Sequence, residues 1–211
     1  MAHYLSRREV LQISTALGGL TLTTSRSTEA AIDLAQEAQK QISCPTPTAV
    51  LGPFYKKLAP KRHVLRATSD PGLRLSVNGR IFGARGEALD GATIEVWHAD
   101  HFGRYDLDGY RFRGTLIATA DGKYGFESIV PGHYPDRVAQ HVHYLVNARG
   151  HKPLVTQLYF ATDQAFEGNP GKNFRRDPLV PSVDVVRPVV LTGDPNKVWA
   201  AVVFDLCLEP L

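Results

Sequence analysis

Cysteine is scarce in this chain of 211 residues, and its scarcity excludes several kinds of site. Only Cys44 and Cys207 occur, and no Cys-x-x-Cys pair is present. Zinc ribbons and thioredoxin-like sites need such pairs, so neither is expected. If the protein is exported, the two cysteines can form a disulfide between the start of the domain and its last strand. Two unpaired, partly buried thiols are the other interpretation, and the sequence leaves both open.

Long apolar runs and concentrated charge are also missing. After residue 30, nothing approaches the run of about 20 apolar residues that spans a bilayer. The net charge is only +3, and no predicted helix or strand carries a basic stripe, so no nucleic-acid partner is expected. Hydrophobic residues make up 43% and charged residues 21%, a balance typical of globular proteins. The length fits one domain, predicted over residues 44–211.

The first 43 residues differ from the rest. Residues 1–30 contain Arg7 and Arg8, then a modestly apolar run and a small-residue site at Ala30. This arrangement resembles a twin-arginine export signal and predicts a periplasmic location. The alternative is a cytoplasmic protein with a basic N-terminus. Residues 31–43 have the spacing of a short helix, which the prolines after Cys44 end.

From residue 44 onward the pattern is one of strands and turns. Apolar residues alternate in short segments, and Asp121-Gly122 has the composition of a hairpin turn. Together they predict an all-β fold, an antiparallel β-sandwich. Residues 164–181 follow neither the helical nor the strand period, and loops of that length commonly border a functional site. The predicted strands are 73–81, 92–96, 116–119, 124–129, 141–146, 154–160, 183–191 and 198–208.

Two histidines and two tyrosines are candidate metal ligands. His141 and His143 are two residues apart on a predicted strand, so both imidazoles project from one face. Neutral imidazole is a common metal ligand. Tyr105 and Tyr134 each follow a strand, where loops can carry two phenols to the same point.

Around these residues the sequence resembles the intradiol ring-cleavage dioxygenases, the group that includes catechol and protocatechuate dioxygenases. The matching motifs occur in the family's order over roughly residues 44–163, so the set is far more specific than any one of them. The motifs are Gly52-Pro53-Phe54-Tyr55, residues 91–100, Gly103-Arg104-Tyr105, Arg113-Gly114, residues 119–124, residues 129–135, His141-Val142-His143 and residues 156–160.

The resemblance implies that Tyr105, Tyr134, His141 and His143 bind one Fe(III). It also implies a reaction in which O₂ cleaves a catechol between its two hydroxylated carbons, giving a muconate-type diacid. In the family one tyrosinate, here Tyr134, leaves the metal and takes a substrate proton. Gln157 matches a glutamine near the iron. The arginine that accompanies it in the family is three residues before the first ligand histidine, whereas here Arg137 is four residues before His141.

By the same resemblance, small apolar residues form a wall for the aromatic ring. These residues are Val50, Pro53, Val77 and Gly79. Lys56, Arg104 and residues 172–176 carry charges that either meet a substrate carboxylate or remain solvated. The substrates implied are a small aromatic diol and O₂, and the sequence does not specify which diol.

Other interpretations remain open. One is a prealbumin-like module that binds an aromatic compound or a carbohydrate without turnover. Another is a zinc or copper site built on His141, His143 and either His98 or His101. A third is a structural exported sandwich without metal. The chain lacks the long N-terminal helical region through which catechol dioxygenases pair, so that dimer is not expected, although other homo-oligomers are open.

Overall fold

The computed structural model describes residues 44–135, 137–193 and 198–211. The predicted signal at residues 1–30 and the predicted helix at 31–43 lie outside these ranges. The described chain forms ten strands in two five-stranded sheets and one α-helix of four residues. The strands are β1 (Arg74–Gly83), β2 (Thr93–Trp97), β3 (Arg113–Ile117), β4 (Lys123–Ile129), β5 (His141–Asn147), β6 (Leu154–Phe160), β7 (Val186–Arg187), β8 (Val190–Thr192), β9 (Trp199–Val203) and β10 (Leu206–Leu208), and the helix is α1 (Pro170–Asn173).

The prediction of a β protein is confirmed, but the prediction of purely antiparallel sheets is wrong. The first sheet is built around β1, which pairs antiparallel with β4 and parallel with β9 and β10. The second sheet has the order β3-β2-β5-β6-β7, and its last pair, β6 and β7, is also parallel. Alternation of apolar residues reports which face is buried but not the direction of the neighbouring strand, so the sequence pattern could not distinguish the two pairings.

The turn at Asp121-Gly122 forms, yet it does not close a simple hairpin. Thr119 and Lys123 are hydrogen-bonded across the turn, and Gly122 has a φ of +77°. The two flanking strands then separate, because β3 pairs with β2 in the second sheet whereas β4 pairs with β1 in the first. The turn is therefore a crossing between the sheets.

The two sheets share one hydrophobic core. Tyr144 on β5 lies at its centre, with its ring centroid 6.3 Å from that of Tyr124 and 6.4 Å from that of Phe126, both on β4. The Phe204 ring packs against Tyr144 from the segment between β9 and β10, at 5.2 Å. Because successive side chains on a strand alternate between faces, the residues next to Tyr144 on β5 point to the outer face of the second sheet.

A segment that we term the N-terminal strap, residues 44–57, covers part of that outer face. Cys44 forms a disulfide with Cys207 on β10, so the structure pairs the two cysteines that the sequence left unassigned. The backbone N–H of Thr46 donates to Cys207 O, and that of Ala49 donates to Val155 O on β6. These bonds hold the strap against both sheets.

Candidate metal centre

The two histidines of β5 lie on the outer face of the second sheet, at the end where β5 begins. His141 pairs across strands with Tyr159, and His143 pairs with Gln157, so four polar or aromatic side chains project together. Both imidazoles are 2% exposed. The sequence predicts a site where loops leave the ends of strands. The structure places it on the outer face near the end where β5 begins, because Val142 and Tyr144 occupy the inner face.

Two loops bring the phenols to the histidines. Tyr105 follows β2 and Tyr134 follows β4, and the two loops touch at Gly103. Gly103 has a φ of +79°, and a Cβ there would lie 1.9 Å from His133 O, so only glycine allows this approach. The carboxylate of Asp100 accepts hydrogen bonds from the backbone N–H groups of Phe102 and Arg104, which fixes the turn before Tyr105.

The four predicted ligands converge. Tyr134 Oη lies 3.2 Å from His141 Nε2, and Tyr105 Oη lies 3.1 Å from His143 Nε2. The ring centroids of the two histidines are 4.8 Å apart, and those of the two tyrosines are 5.6 Å apart. Two phenol oxygens and two imidazole nitrogens therefore face one small region.

Burial keeps all four groups uncharged when no cation is bound. Burial raises the pKa of the Tyr105 phenol far above its usual value and also raises the pKa of Tyr134, which is less deeply buried. Burial, together with the nearby Arg137 guanidinium, lowers the pKa of His141 to about 3, and burial lowers the pKa of His143 well below its usual range. Both imidazoles are thus neutral at pH 7, the state in which imidazole binds a metal.

The surroundings of the imidazoles fit a metal-binding role. His141 Nδ1 lies 2.8 Å from Ala139 O, and since a carbonyl only accepts, Nδ1 carries the proton and the lone pair of Nε2 faces Tyr134 Oη and Arg137 Nη1. The His143 ring stacks on Trp97 with centroids 4.9 Å apart and planes 5° apart, and Gln157 Nε2 lies 3.2 Å from its Nδ1. Such outer contacts orient histidine ligands in metal sites.

Arg137 is buried beside this cluster. Its Nη1 lies 3.3 Å from His141 Nε2, and its Nη2 donates to Gln157 Oε1 at 3.0 Å. The one-residue shift of the arginine relative to the family pattern therefore does not prevent the Arg137–Gln157 contact. The bridge between Tyr134 and Arg137 and the hydrogen bond from Arg137 N to Tyr134 O bend the chain back here.

Two further residues complete the network around Arg137, and the sequence did not identify their roles. The Tyr159 hydroxyl accepts a hydrogen bond from Arg137 Nη2 at 2.7 Å and donates to Gln157 Oε1 at 2.6 Å. Asp177 accepts from Arg137 Nε at 3.2 Å. The position of Tyr159, two residues after Gln157 on one strand, was a usable signal. For Asp177 the only signal was the aperiodic stretch at residues 164–181, which contains α1 and two 3₁₀ turns.

The strap closes one side of the cluster. Phe54 stacks on Tyr105 with centroids 4.2 Å apart, and the buried Arg113 donates to the carbonyls of both Phe54 and Asp106. Lys56 Nζ donates to three carbonyls in the loop after Tyr105, those of Leu107, Asp108 and Gly109. The Lys56 charge therefore binds the strap to that loop.

Of the four residues predicted to form the substrate wall, two lie near the candidate site and two do not. Val50 and Pro53 lie on the strap on either side of Gly52, which contacts His143, and Val50 O accepts a hydrogen bond from Gln157 Nε2. For Val77 and Gly79 the prediction is wrong. Val77 is 0% exposed in the core between the sheets, and a Cβ on Gly79 would lie 2.1 Å from Phe204 O. Both face the core on β1, on the opposite side of the second sheet from the histidines.

The alternative metal site receives no support from its additional histidines. His98 is buried with Nδ1 2.7 Å from Ala99 O and Nε2 2.7 Å from Ser128 Oγ, so both ring nitrogens are engaged. His101 is exposed and packs edge-on against Phe102. Within the described ranges, no group of three or more His, Cys, Asp or Glu residues is placed to hold a metal ion.

Comparisons with known proteins agree with this geometry. The model of a family described as Dioxygenase matches residues 50–210. The chain is 33% identical to catechol 1,2-dioxygenase 2 of Acinetobacter lwoffii over 178 residues, 70% of this chain and 62% of that protein. It is 30% identical to chlorocatechol 1,2-dioxygenase of Rhodococcus opacus over 194 residues, 78% of this chain and 72% of that protein. The chain belongs to the intradiol dioxygenase family.

Solved structures of this dioxygenase family have the same fold. One is the dioxygenase domain of a dioxygenase carbohydrate-binding protein fusion from Streptomyces sp. SirexAA-E, with 33% identity and a TM-score of 0.64 over 79% of this chain and 99% of that one. Another is catechol 1,2-dioxygenase from Acinetobacter sp. ADP1, with 26% identity and a TM-score of 0.68 over 88% of this chain and 69% of that one. The chain spans 62% of the length of its Acinetobacter lwoffii relative.

Gly52 provides a test of how closely the strap supports the candidate site. Its φ is +76°, and a Cβ there would lie 3.1 Å from His143 Cε1. Gly86 has a similar φ of +81° but no neighbour within 4 Å of a Cβ, so it is a matched control. We expect both Gly→Ala changes to cost about 1–2 kcal/mol of backbone strain. Only Gly52→Ala should weaken metal binding, by about 10-fold, measured by competition with a chelator. Equal metal affinity in the two variants would contradict the contact.

Proposed function

We propose that the protein is an intradiol ring-cleaving dioxygenase that acts on a catechol-type diol with O₂ at a non-haem Fe(III). The observation that carries this proposal is the convergence of two phenol oxygens and two imidazole nitrogens beside the buried Arg137–Gln157 pair. The relatives support it, since they are named catechol and chlorocatechol 1,2-dioxygenases at about one third identity.

Tyr105, Tyr134, His141 and His143 would hold the iron. Ferric iron is a hard cation with three positive charges, and two phenolates and a hydroxide balance that charge while the imidazoles stay neutral. A bound metal ion can displace phenol protons near neutral pH. Strong anionic oxygen donors favour Fe(III) over Fe(II). Oxygenases with two histidines and one carboxylate, by contrast, use Fe(II). The bound iron supplies Lewis acidity and a fixed position for the substrate.

Other steps of the proposed reaction are assigned to individual side chains of the protein. Tyr134 is less deeply buried than Tyr105, so its phenolate oxygen is the better placed of the two to accept a proton from a catechol hydroxyl. The guanidinium of Arg137 and the amide of Gln157 lie next to the cluster and stabilise negative charge on the substrate oxygens. The strap residues Gly52 and Phe54 cover His143 and Tyr105, respectively, on one side.

The overall reaction balances with one diol and one O₂. The bond between the two hydroxylated ring carbons breaks, and each of these carbons becomes a carboxyl group that carries one oxygen atom from O₂. The diol is oxidised and both atoms of O₂ are reduced, so no other reductant is required.

The reaction is tested by aerobic assay of the iron-loaded protein with catechol, hydroxyquinol, protocatechuate and 4-chlorocatechol. We expect at least one diol to consume one O₂ per molecule and to give a cis,cis-muconate-type diacid. Extradiol cleavage would give a semialdehyde of the same mass, so the product is identified by NMR rather than by mass alone. A semialdehyde product, or no O₂ uptake with any diol, would overturn the proposal.

The metal is tested with tyrosine variants. We expect the iron-loaded protein to absorb visible light through its phenolates, and Tyr105→Phe or Tyr134→Phe to weaken that absorption and lower the iron content. Tyr110→Phe is the control, because the Tyr110 hydroxyl donates to Lys57 O outside the cluster. Iron content and visible spectra check this expectation. A colourless protein after iron reconstitution would favour the binding module, and stoichiometric zinc or copper in the protein as purified would favour another metalloenzyme.

We also propose that the protein is exported, in the folded state, through its twin-arginine segment at Arg7 and Arg8. The Cys44–Cys207 disulfide supports this, because such bonds persist in oxidising compartments. We expect Arg7→Lys with Arg8→Lys to retain the protein in the cytoplasm, measured by cell fractionation. The same double change at the other adjacent pair, Arg175 and Arg176, is the control. Cytoplasmic wild-type protein would refute export.

A further inference from the structure

Asp177 is a buried carboxylate in the segment between β6 and β7. It is only 1% exposed, although carboxylates are rarely so deeply buried. A buried charge is costly unless a cation and hydrogen-bond donors surround it. Its environment therefore has to supply both. The backbone N–H of Leu179 donates to Oδ1 at 2.9 Å, and the groups that contact Oδ2 lie beside the candidate metal centre.

The carboxylate contacts two groups that flank His141. Asp177 Oδ2 accepts from Arg137 Nε at 3.2 Å and from the backbone N–H of Ala139 at 3.1 Å. The carbonyl of the same Ala139 lies 2.8 Å from His141 Nδ1. One carboxylate thus fixes the guanidinium beside His141 and the backbone residue that orients the His141 ring.

The contact with Arg137 also determines which of its nitrogens remain for the site. Asp177 Oδ2 accepts from Nε. Nη2 is then directed to Gln157 and Tyr159, and Nη1 to the neighbourhood of His141 Nε2. Loss of the carboxylate would remove the acceptor of Nε and leave the rotation of the guanidinium less restrained.

We propose that Asp177 is a positioning residue for ring cleavage, which acts by holding the Arg137 guanidinium against the site. The proposal rests on the proposed function, since Arg137 is assigned there to stabilise negative charge on the substrate. Asp177 itself does not touch the substrate in this scheme. Through Asp177, the segment at residues 161–185 thereby contributes to the chemistry.

A purely structural role is the competing explanation, and Asp163 is the matched control for it. Asp163 lies in the same segment, is 3% exposed, and accepts hydrogen bonds from the backbone N–H groups of Gln140 and Ala165. Its side-chain partner is His133 rather than Arg137. Both carboxylates hold the chain just before β5, but only Asp177 contacts the guanidinium.

The first experiment compares Asp177→Asn with Asp163→Asn in the iron-loaded full-length protein. We expect both changes to lower the Tm. Only Asp177→Asn should lower kcat, by about 10- to 100-fold, with KM and iron content within about threefold of wild type. A kcat for Asp177→Asn within threefold of wild type, or an equal loss in Asp163→Asn, would overturn the proposal.

The second experiment asks whether Asp177 acts through Arg137. In Arg137→Met the carboxylate is left buried without its cation, so adding Asp177→Asn should raise the Tm of that variant. The added change should also leave its kcat within about twofold, because the group that Asp177 positions is already gone. If Asp177→Asn lowers kcat by the same factor in both backgrounds, the carboxylate acts independently of Arg137 and the proposal fails.

Wild-type activity, measured first, separates this proposal from the function it rests on. If the wild type cleaves no diol, the proposed function fails, and the positioning of Arg137 is then measured by binding of 4-nitrocatechol, whose colour reports its ionisation. We expect Asp177→Asn to weaken that binding about 10-fold and Asp163→Asn to leave it unchanged. Equal binding by both variants would refute the positioning role in that case.

Discussion

The alternation of side chains along β5 is the constraint on which the site depends. Val142, Tyr144 and Val146 are required by the core between the sheets, so His141 and His143 must occupy the other face. The antiparallel register then places Tyr159 and Gln157 directly opposite them. A shift of one residue in that register would exchange the faces, with polar groups in the core and apolar groups at the site. Fold stability and site geometry are therefore set by the same pairing.

The second feature of the site is that its buried groups are nearly neutral in sum. The phenols keep their protons, the imidazoles are uncharged, and the charge of Arg137 is matched by that of Asp177. The desolvation free energy of burying such a cluster is modest, because no unpaired charge is left inside the protein. The hydrogen bonds among Arg137, Gln157 and Tyr159 fix the orientations of these three buried side chains.

Local patterns in the sequence predicted most of the strands and the shared face of His141 and His143, because spacing on a strand decides which side chains share a face. The predicted strands at 183–191 and 198–208 are each divided in the structure, the first into β7 and β8 and the second into β9 and β10. The convergence of Tyr105 and Tyr134 with the histidines was implied by the family resemblance. Local patterns do not predict contacts between segments that are far apart in the chain. The parallel partners of β1 come from about 125 residues further along the chain, as in the pairing of Leu75 with Ala200. The misassigned wall at Val77 has the same origin, since an apolar residue on a strand looks the same whether it faces a core or a ligand. The Arg137–Asp177 pair spans 40 residues and leaves no periodic trace.

The disulfide has a consequence for the order in which the molecule is completed. The strap that shields His143 and Tyr105 is synthesised before any strand, yet its anchor Cys207 lies on β10, the last strand. The disulfide therefore cannot form before β10 has been synthesised, whereas the hydrogen bonds of the strap to β6 and to the loop after Tyr105 need only earlier segments. The cross-link is thus a late covalent clamp on a segment that hydrogen bonds already hold, and it limits how far the strap can move from His143 in the complete fold.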